Sequence, residues 1–297
     1  MTTSSDNSNS TPVEPINLEQ ALQVALEACK LAATEIKQHF ANQQKTFLTK
    51  STIIDMVTQT DKHVEELVTQ HLQNAYPTHT IIGEECNTNT TLSPNGYSWI
   101  IDPIDGTTNF VHRNPNVCTS IGLAYCGSIV MGVVHNPILD ETFYAIKGKG
   151  SFQKTAFTQQ KFERNIISTC KQVSESLLSS NYPYGRTEDI LGLCEKKYAA
   201  FLRMGCHGIR GCGSAVINLC YVANGSLDAY FENGIQIWDM AAGKIIVEEA
   251  GGIVCDPTDL EVPESSLLQN HRCLASCTKE LTIEMIQVLK KIESEHK

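Results

Sequence analysis

The chain has 297 residues, 41% of them hydrophobic and 19% charged, with a formal net charge of -10. That length suits one large domain or two closely joined halves, and the acidic balance disfavours a nucleic-acid backbone or an anionic membrane surface as partner. No apolar run approaches the ~20 residues that span a bilayer, whereas a small phosphate ester remains compatible provided a local cation masks the acids.

Twelve cysteines are present without a single C-x-x-C pair. Several, such as Cys118, Cys126 and Cys220, sit in apolar runs where a free thiol packs as a small hydrophobe. With no signal peptide in view, this predicts a reducing, cytoplasmic setting, in which the sequons at Asn89 and Asn224 are chance matches. Residues 1–16 are rich in Ser, Thr and Asn and read as a disordered tail, leaving 17–297 as a single unit.

Asn17 can cap a helix from Leu18, along which Leu22, Ala25, Cys29, Ala33, Ile36 and Phe40 recur on one face. Residues 44–60 read as short β-prone pieces around a polar turn. Thr60 or Asp61 can cap a second helix with Val64, Leu67, Val68 and Leu72 inward, stopped at Tyr76-Pro77. A short strand at Thr80, Ile81 and Ile82 ends in Gly83-Glu84-Glu85, and a polar surface loop over 86–97 follows.

Residues 118–145 alternate as an antiparallel meander, with turns at Cys126-Gly127-Ser128 and over 137–140; a further turn occupies 147–150. Residues 151–165 carry no clear pattern. A strand is predicted over 166–168, a helix over 189–203, a short strand over 207–210, a helix over 214–223 and a strand over 227–231. Trp238-Asp239 opens a helix with Asp239 as its cap, Gly251-Gly252 ends it, a strand runs over 253–255, and a helix over 279–293 closes the chain.

The informative stretch is WIIDPIDGTTNF, residues 99–110. An apolar strand ends in Asp102 and Asp105, and Gly106, Thr107 and Thr108 follow with backbone amides and hydroxyls. Carboxylates suit a hard divalent cation and amides at a helix start suit phosphate, so the stretch points to metal-assisted phosphoryl chemistry. Acids also stand at other element ends: Asp61, Glu84, Glu85 and Asp239. Each alone reads as an N-cap or a solvated turn; together they can converge into a magnesium site.

The stretch resembles the signature of the inositol monophosphatase family. The resemblance extends to residues 50–61, which look like the family's K-x-x-x-D-x-V-T-x-x-D segment with one more residue between Lys50 and Asp55, to Gly83-Glu84-Glu85, to Trp238-Asp239-Met240-Ala241-Ala242-Gly243 and to Glu249-Ala250-Gly251-Gly252, in the same order over about residues 18–290. It implies a layered αβαβα sandwich with largely antiparallel sheets, an α+β arrangement within the broad α/β class, working as a homodimer. It implies Mg2+ held by Glu84, Asp102 and the carbonyl of Ile104 in one site and by Asp102, Asp105 and Asp239 in a second, with a weaker third ion leaning on Glu84. Asp61 and Thr107 would position the attacking water, and the amides of Gly106 and Thr107 would hold phosphate oxygens, with Asp105 and Asp239 bordering the substrate. Lithium inhibition is implied as well.

Thr107-Thr108-Asn109-Phe110 resembles the inositol monophosphatase version of the motif rather than those of relatives acting on nucleotides, histidinol phosphate or fructose bisphosphate. Phe231-Glu232-Asn233-Gly234 resembles the segment whose glutamate binds inositol hydroxyls; the segment over 207–210 with Gly213, Ser214 and Ala215 resembles the rest of that pocket. Two departures stand out: the loop over 179–185 lacks the Gly-Ser pattern, and Gln153-Lys154-Thr155 stands where an Asn-Gly turn is usual. The expected reaction is therefore hydrolysis of inositol monophosphate by water, without a phosphoenzyme. The alternatives are another small phosphate ester (galactose 1-phosphate, histidinol phosphate or a bisphosphate nucleotide) or a binding protein without turnover.

Overall fold

The computed structural model describes residues 15–41, 47–49, 56–86, 91–156, 158–159 and 161–296. The predicted tail up to residue 14, the sequon at Asn89 and residues 50–55 of the upstream motif lie outside them.

Helix α1 (Leu18–Phe40) starts as expected, with the Asn17 side chain accepting from the amides of Glu19 and Gln20. Strands β1 (Phe47–Thr49) and β2 (Met56–Thr58) pair antiparallel and lead into α2 (Gln59–Ala75). The cap of α2 is Thr58, not Thr60 or Asp61: Thr58 and Asp61 form a reciprocal capping box, which makes Asp61 the third helical residue.

Strands β3 (Thr80–Gly83) and β4 (Tyr97–Asp105) are parallel neighbours. After the one-turn-and-a-half helix α3 (Thr107–His112), the chain adds β5 (Cys118–Tyr125), β6 (Ser128–Asn136), β7 (Glu141–Ile146), β8 (Gly150–Lys154) and β9 (Glu163–Arg164) in succession. Each is antiparallel to the last. The meander is as predicted and longer, because the unassigned region supplies β8 and β9; Gln153 and Lys154, read as a turn, pair with Phe143 and Thr142. Among the described residues these seven strands form one sheet.

The second half builds a five-stranded sheet from β10 (Leu177–Ser179), β11 (Gly208–Arg210), β12 (Ala229–Asn233), β13 (Ile253–Cys255) and β14 (Arg272–Ser276), ordered β11-β10-β12-β14-β13. The expected strand over 166–168 does not form. Ser168 is tied to the Asp228 carboxylate instead, Ile166 is 79% exposed, and the segment is a connector. Helices α4 (Glu188–Arg203), α5 (Ala215–Ala223), α6 (Ala241–Ala250), α7 (Glu264–Leu267) and α8 (Lys279–His296) complete the chain. The cap of α6 is Met240, so Asp239 stands in the turn before the helix.

Burial defines the layers. α1 and α2 share a core with one face of the large sheet, through Leu22, Ile36, Val68, Trp99, Ile101 and Leu123. α5 and α6 fill the space between the two sheets, and α8 packs with Phe201 of α4 against the outer face of the small sheet. The result is the αβαβα sandwich expected. All nine residues of β4 are buried, as suits a strand covered on both faces. It delivers its C-terminal acids to the layer where α5 and α6 begin.

Candidate active site

Strict alternation would point Asp102 and Asp105, three apart, to opposite faces of β4. The pairing prevents this: Asp102 stands opposite Ser120 and Asp105 opposite Cys118, so β4 carries one extra residue in a bulge. Pro103 is tolerated there because the bulge needs no ladder donor from it, and its carbonyl accepts from the Thr119 hydroxyl at 2.9 Å. Both carboxylates thereby reach one side. Among the described residues, Asp102, Asp105 and Asp239 form a group whose carboxylate oxygens lie within 4.8 Å of one another.

Each acid is held. Asp105 accepts from the Ser214 hydroxyl at 2.5 Å and from the amides of Val216 and Ala215 at 2.7 and 3.3 Å, at the start of α5. Ser214, expected to line the substrate pocket, is thus buried against the acid, while Gly213 and Ala215 do border the cavity. Asp239 accepts from the Gln236 amide at 2.6 Å.

Glu84 follows β3, and its position depends on a residue the sequence reading passed over. The buried Glu65 carboxylate of α2 accepts from the amides of Glu85 and Cys86 at 2.7 and 2.8 Å. Glu65 falls one turn after Asp61 and three before Val68, an acid on a core face, which was the available signal. A Cβ on Gly83 would come within 2.3 Å of Glu65 Oε1. Gly83→Ala should therefore displace the pinned carboxylate, costing about 1–3 kcal/mol of stability and weakening metal affinity. Thermal unfolding and a magnesium titration check this, and unchanged values in both would refute the pinning role.

Burial, reinforced by charge repulsion, raises the acids of the cluster. Burial, then Glu84, Asp105 and Asp239, push Asp102 well above the usual carboxylate range. Burial raises Asp105 too, opposed by Ser214 and the α5 amides. Asp239 is raised well above its ordinary value by burial, then by Asp105 and Glu84. Asp102 Oδ1 is buried and makes no hydrogen bond among the described residues. A buried, unpartnered carboxylate oxygen beside three other acids is costly, and an all-oxygen donor set of this kind fits a hard divalent cation.

Beside the cluster, Thr107 Oγ1 lies 3.0 Å from Asp61 Oδ1 and 3.2 Å from the carbonyl oxygen of Ile104. Asp61 is 1% exposed and also accepts from the amide of Thr58 at 2.9 Å and from its hydroxyl. Burial pushes its carboxyl up to about 6; the Thr58 hydroxyl pulls it down, the Glu85 charge pushes it up, and the Thr58 amide and Thr107 hydroxyl pull it down. The arrangement can hold a proton or pass one between a hydroxyl and a carboxylate.

A cavity of about 240 Å3 is bordered by Asp105, Asp239, Gly213 and Ala215 together with Glu232 and Asn181. Burial raises Glu232 to about 7, while Tyr230, donating at 2.5 Å, and Asn181, at 2.8 Å, stabilise its charged form. Sequence reading missed Asn181, Tyr230 and Asn109; the Asn109 amide donates to the carbonyls of Asn116 and Cys212 at 2.8 Å, tying the β4–β5 connection to the 211–213 turn. Of the predicted site residues, Asp61 and Thr107 form one contact, Asp102, Asp105 and Asp239 another, and Glu232 lines the same cavity as Asp105 and Asp239.

The model of the inositol monophosphatase family matches residues 17–294. Inositol monophosphatase 1 of Homo sapiens is 36% identical over 280 residues, covering 91% of this chain and 96% of the relative. Inositol monophosphatase 2 of Saccharomyces cerevisiae is 40% identical over 226 residues, with coverage of 74% and 75%. Among solved structures, the extragenic suppressor protein SuhB of Bartonella henselae superposes with a TM-score of 0.80 at 29% identity, covering 92% of this chain and 99% of that one. An IMPase of Thermotoga maritima gives 0.80 at 28% identity, with coverage of 94% and 100%.

Proposed function

The chain belongs to the inositol monophosphatase family, and from that premise we propose that it is a magnesium-dependent phosphatase releasing myo-inositol and phosphate from inositol monophosphates. The observation that carries the reading is the cavity bordered by Asp105 and Asp239 of the acid cluster and by the raised Glu232, with Thr107, the hydroxyl partner of Asp61, close after Asp105 in the chain. Other small phosphate esters are less favoured, because the curated relatives that match across most of the chain are inositol monophosphatases.

Glu84, Asp102 and the Ile104 carbonyl would hold one magnesium ion, and Asp102, Asp105 and Asp239 a second. When bound, magnesium stabilises negative charge on the attacking water and the leaving oxygen. The chain's own groups do the rest. The amides of Gly106 and Thr107 orient the phosphate, and the Thr107 hydroxyl takes a proton from the attacking water as its own passes to Asp61 Oδ1. The phosphorus–oxygen ester bond breaks in line with the attack, and the inositol oxygen leaves with a proton from solvent. Glu232 accepts hydrogen bonds from ring hydroxyls, so the site discriminates against esters lacking them.

The same reading has the protein working as a cytoplasmic homodimer. Each of its twelve cysteines lies among the described residues and is free, in keeping with a reducing compartment. Among the described residues no helix is long and apolar enough to cross a membrane.

Phosphate release from inositol 1-phosphate, galactose 1-phosphate, histidinol phosphate and adenosine bisphosphate, with magnesium and then with added lithium, tests the reading. The inositol ester should be fastest, and lithium should suppress turnover. Glu232→Gln should lower kcat/KM for the inositol ester more than for an aryl phosphate. Absence of magnesium-dependent release from all four would overturn the enzyme reading.

A further inference from the structure

The 179–185 loop, where the sequence leaves the family pattern, places one side chain between Glu232 and the Gly213 amide at the cavity wall. Asn181 follows β10 and is half-buried. Its Nδ2 donates to Glu232 Oε2 at 2.8 Å. Its Oδ1 accepts from the Gly213 amide at 2.8 Å and from Asn218 Nδ2, on α5, at 3.2 Å. The two ends of one planar amide are thus committed, donor to the glutamate and acceptor to the segment entering α5, so its orientation is fixed.

The loop itself is anchored. The Ser180 amide donates to the Arg210 carbonyl at 2.9 Å, and the Tyr198 hydroxyl reaches the carbonyls of Ser180 and Asn181 at 3.1 and 3.4 Å. Asn218 is fully buried and takes the Ser179 hydroxyl at 2.8 Å, locking the far partner as well. On Glu232, the Asn181 side-chain amide and the Tyr230 hydroxyl both donate to Oε2, and the Asn181 backbone also stabilises the charged carboxylate. Asn181 and Glu232 border the substrate cavity and also a neighbouring cavity of about 320 Å3 that Leu193, Tyr198 and Phe231 help line. The pair therefore lies where the two cavities meet, together with Tyr184 and Gly234.

We propose that Asn181 is a positioning residue for substrate selectivity: it fixes the Glu232 carboxylate relative to the Gly213–Ala215 segment, and the preference for hydroxyl-rich phosphate esters depends on that clamp. The inference rests on the reading of Glu232 as the polyol-binding acid. A carboxylate held from one oxygen by two donors offers the other in one direction, which rewards a ring hydroxyl at one position. A carboxylate freed to rotate toward the neighbouring chamber loses that discrimination while the phosphate end is untouched.

The test measures kcat and KM for myo-inositol 1-phosphate and for p-nitrophenyl phosphate, which has no ring hydroxyls. It uses full-length, magnesium-saturated protein: wild type, Asn181→Ala, Asn181→Asp, Glu232→Gln and the Asn181→Ala/Glu232→Gln double variant. Asn181→Asp keeps the acceptor for Gly213 and removes the donor to Glu232, so it decides the matter if Asn181→Ala shows no cooperative thermal transition. Both should lower the inositol-to-aryl ratio of kcat/KM by about tenfold or more, the worth of a hydrogen bond to a charged group. The loss should lie in KM for the inositol ester, with the aryl ester little changed. In the Glu232→Gln background, Asn181→Ala should not change the ratio further. If Glu232→Gln lowers the ratio while both Asn181 variants keep the wild-type value, or lose both substrates equally, Asn181 only pins the loop and the inference fails with the Glu232 reading intact. If Glu232→Gln leaves the ratio unchanged, the polyol assignment itself fails, and the inference with it.

Discussion

Asp102→Asn should abolish phosphate release and, without divalent cations, raise the melting temperature. The two effects have one origin. Asp102 is buried, its Oδ1 makes no hydrogen bond among the described residues, and the acids Glu84, Asp105 and Asp239 raise its carboxyl further. In the metal-free protein the folded state therefore holds a proton that the unfolded chain, with a pKa of about 3.9, gives up. The stability this group supports is fully present below the unfolded pKa and is lost as pH rises through the raised folded value. The amide carries no charge, so the variant's advantage should vanish in acid and grow with pH, at about 2–4 °C for each kcal/mol in a protein of this class. Magnesium should reverse the order, stabilising the wild type by mass action and the variant much less. Loss of a shared ligand should cost at least about a thousandfold in kcat, the equivalent of several kcal/mol of charge stabilisation. Calorimetric scans at several pH values, with chelator and then with magnesium, provide the measurement. A variant less stable than wild type at pH 8 in chelator would contradict the account of the cluster.

How much of this the chain displayed in advance varies from residue to residue. Asn17 and the apolar positions after it define α1, and the alternation of β5 to β7 with the turn at Cys126-Gly127 is readable because both patterns are local. The five-stranded sheet is not local. β10 is three residues long and lies parallel between β11 and β12, about thirty and fifty positions away by its register with Ile209 and Ala229. The layered architecture accordingly came from the resemblance and not from periodicity. In the site, the types and order of the acids were visible, but their convergence depends on the bulge between Asp102 and Asp105, which no alternation pattern announces. Asp61 and Asp239 read as helix caps; the structure makes Asp61 the third residue of its helix, where one carboxylate oxygen closes the capping box with Thr58 and the other meets Thr107, and leaves Asp239 in the turn before α6, accepting from Gln236. Asn181 was hidden for a further reason: its partners are a strand residue and a turn amide, each brought to it only by the fold.

The second large effect concerns Asp61 and Thr107, the pair proposed to position the attacking water. Asp61→Asn should lower kcat by about 10²–10⁴, the usual worth of a positioned base, with KM for inositol 1-phosphate nearly unchanged. Thr107→Val should behave similarly, and Thr107→Ser, which keeps the hydroxyl 3.0 Å from Asp61 Oδ1 in the native geometry, should restore most of the rate. The pH profile separates this role from a structural one. Asp61 must be ionised to receive the proton; burial holds its carboxyl at about 6 without metal and bound magnesium lowers it, so the acid limb of the rate profile should lie at or below that region. The Thr107 hydroxyl favours the ionised form and the Glu85 charge opposes it. Thr107→Val should therefore move the limb to higher pH in whatever rate remains, and Glu85→Gln should move it to lower pH while leaving Asp61 and Thr107 in place. Shifts of opposite sign from two residues on different elements, both acting on one carboxyl, are hard to obtain from loosened packing. If neither substitution moves the acid limb, Asp61 is not the group that titrates in the reaction, and its contact with Thr107 serves the junction of α2 and α3 alone.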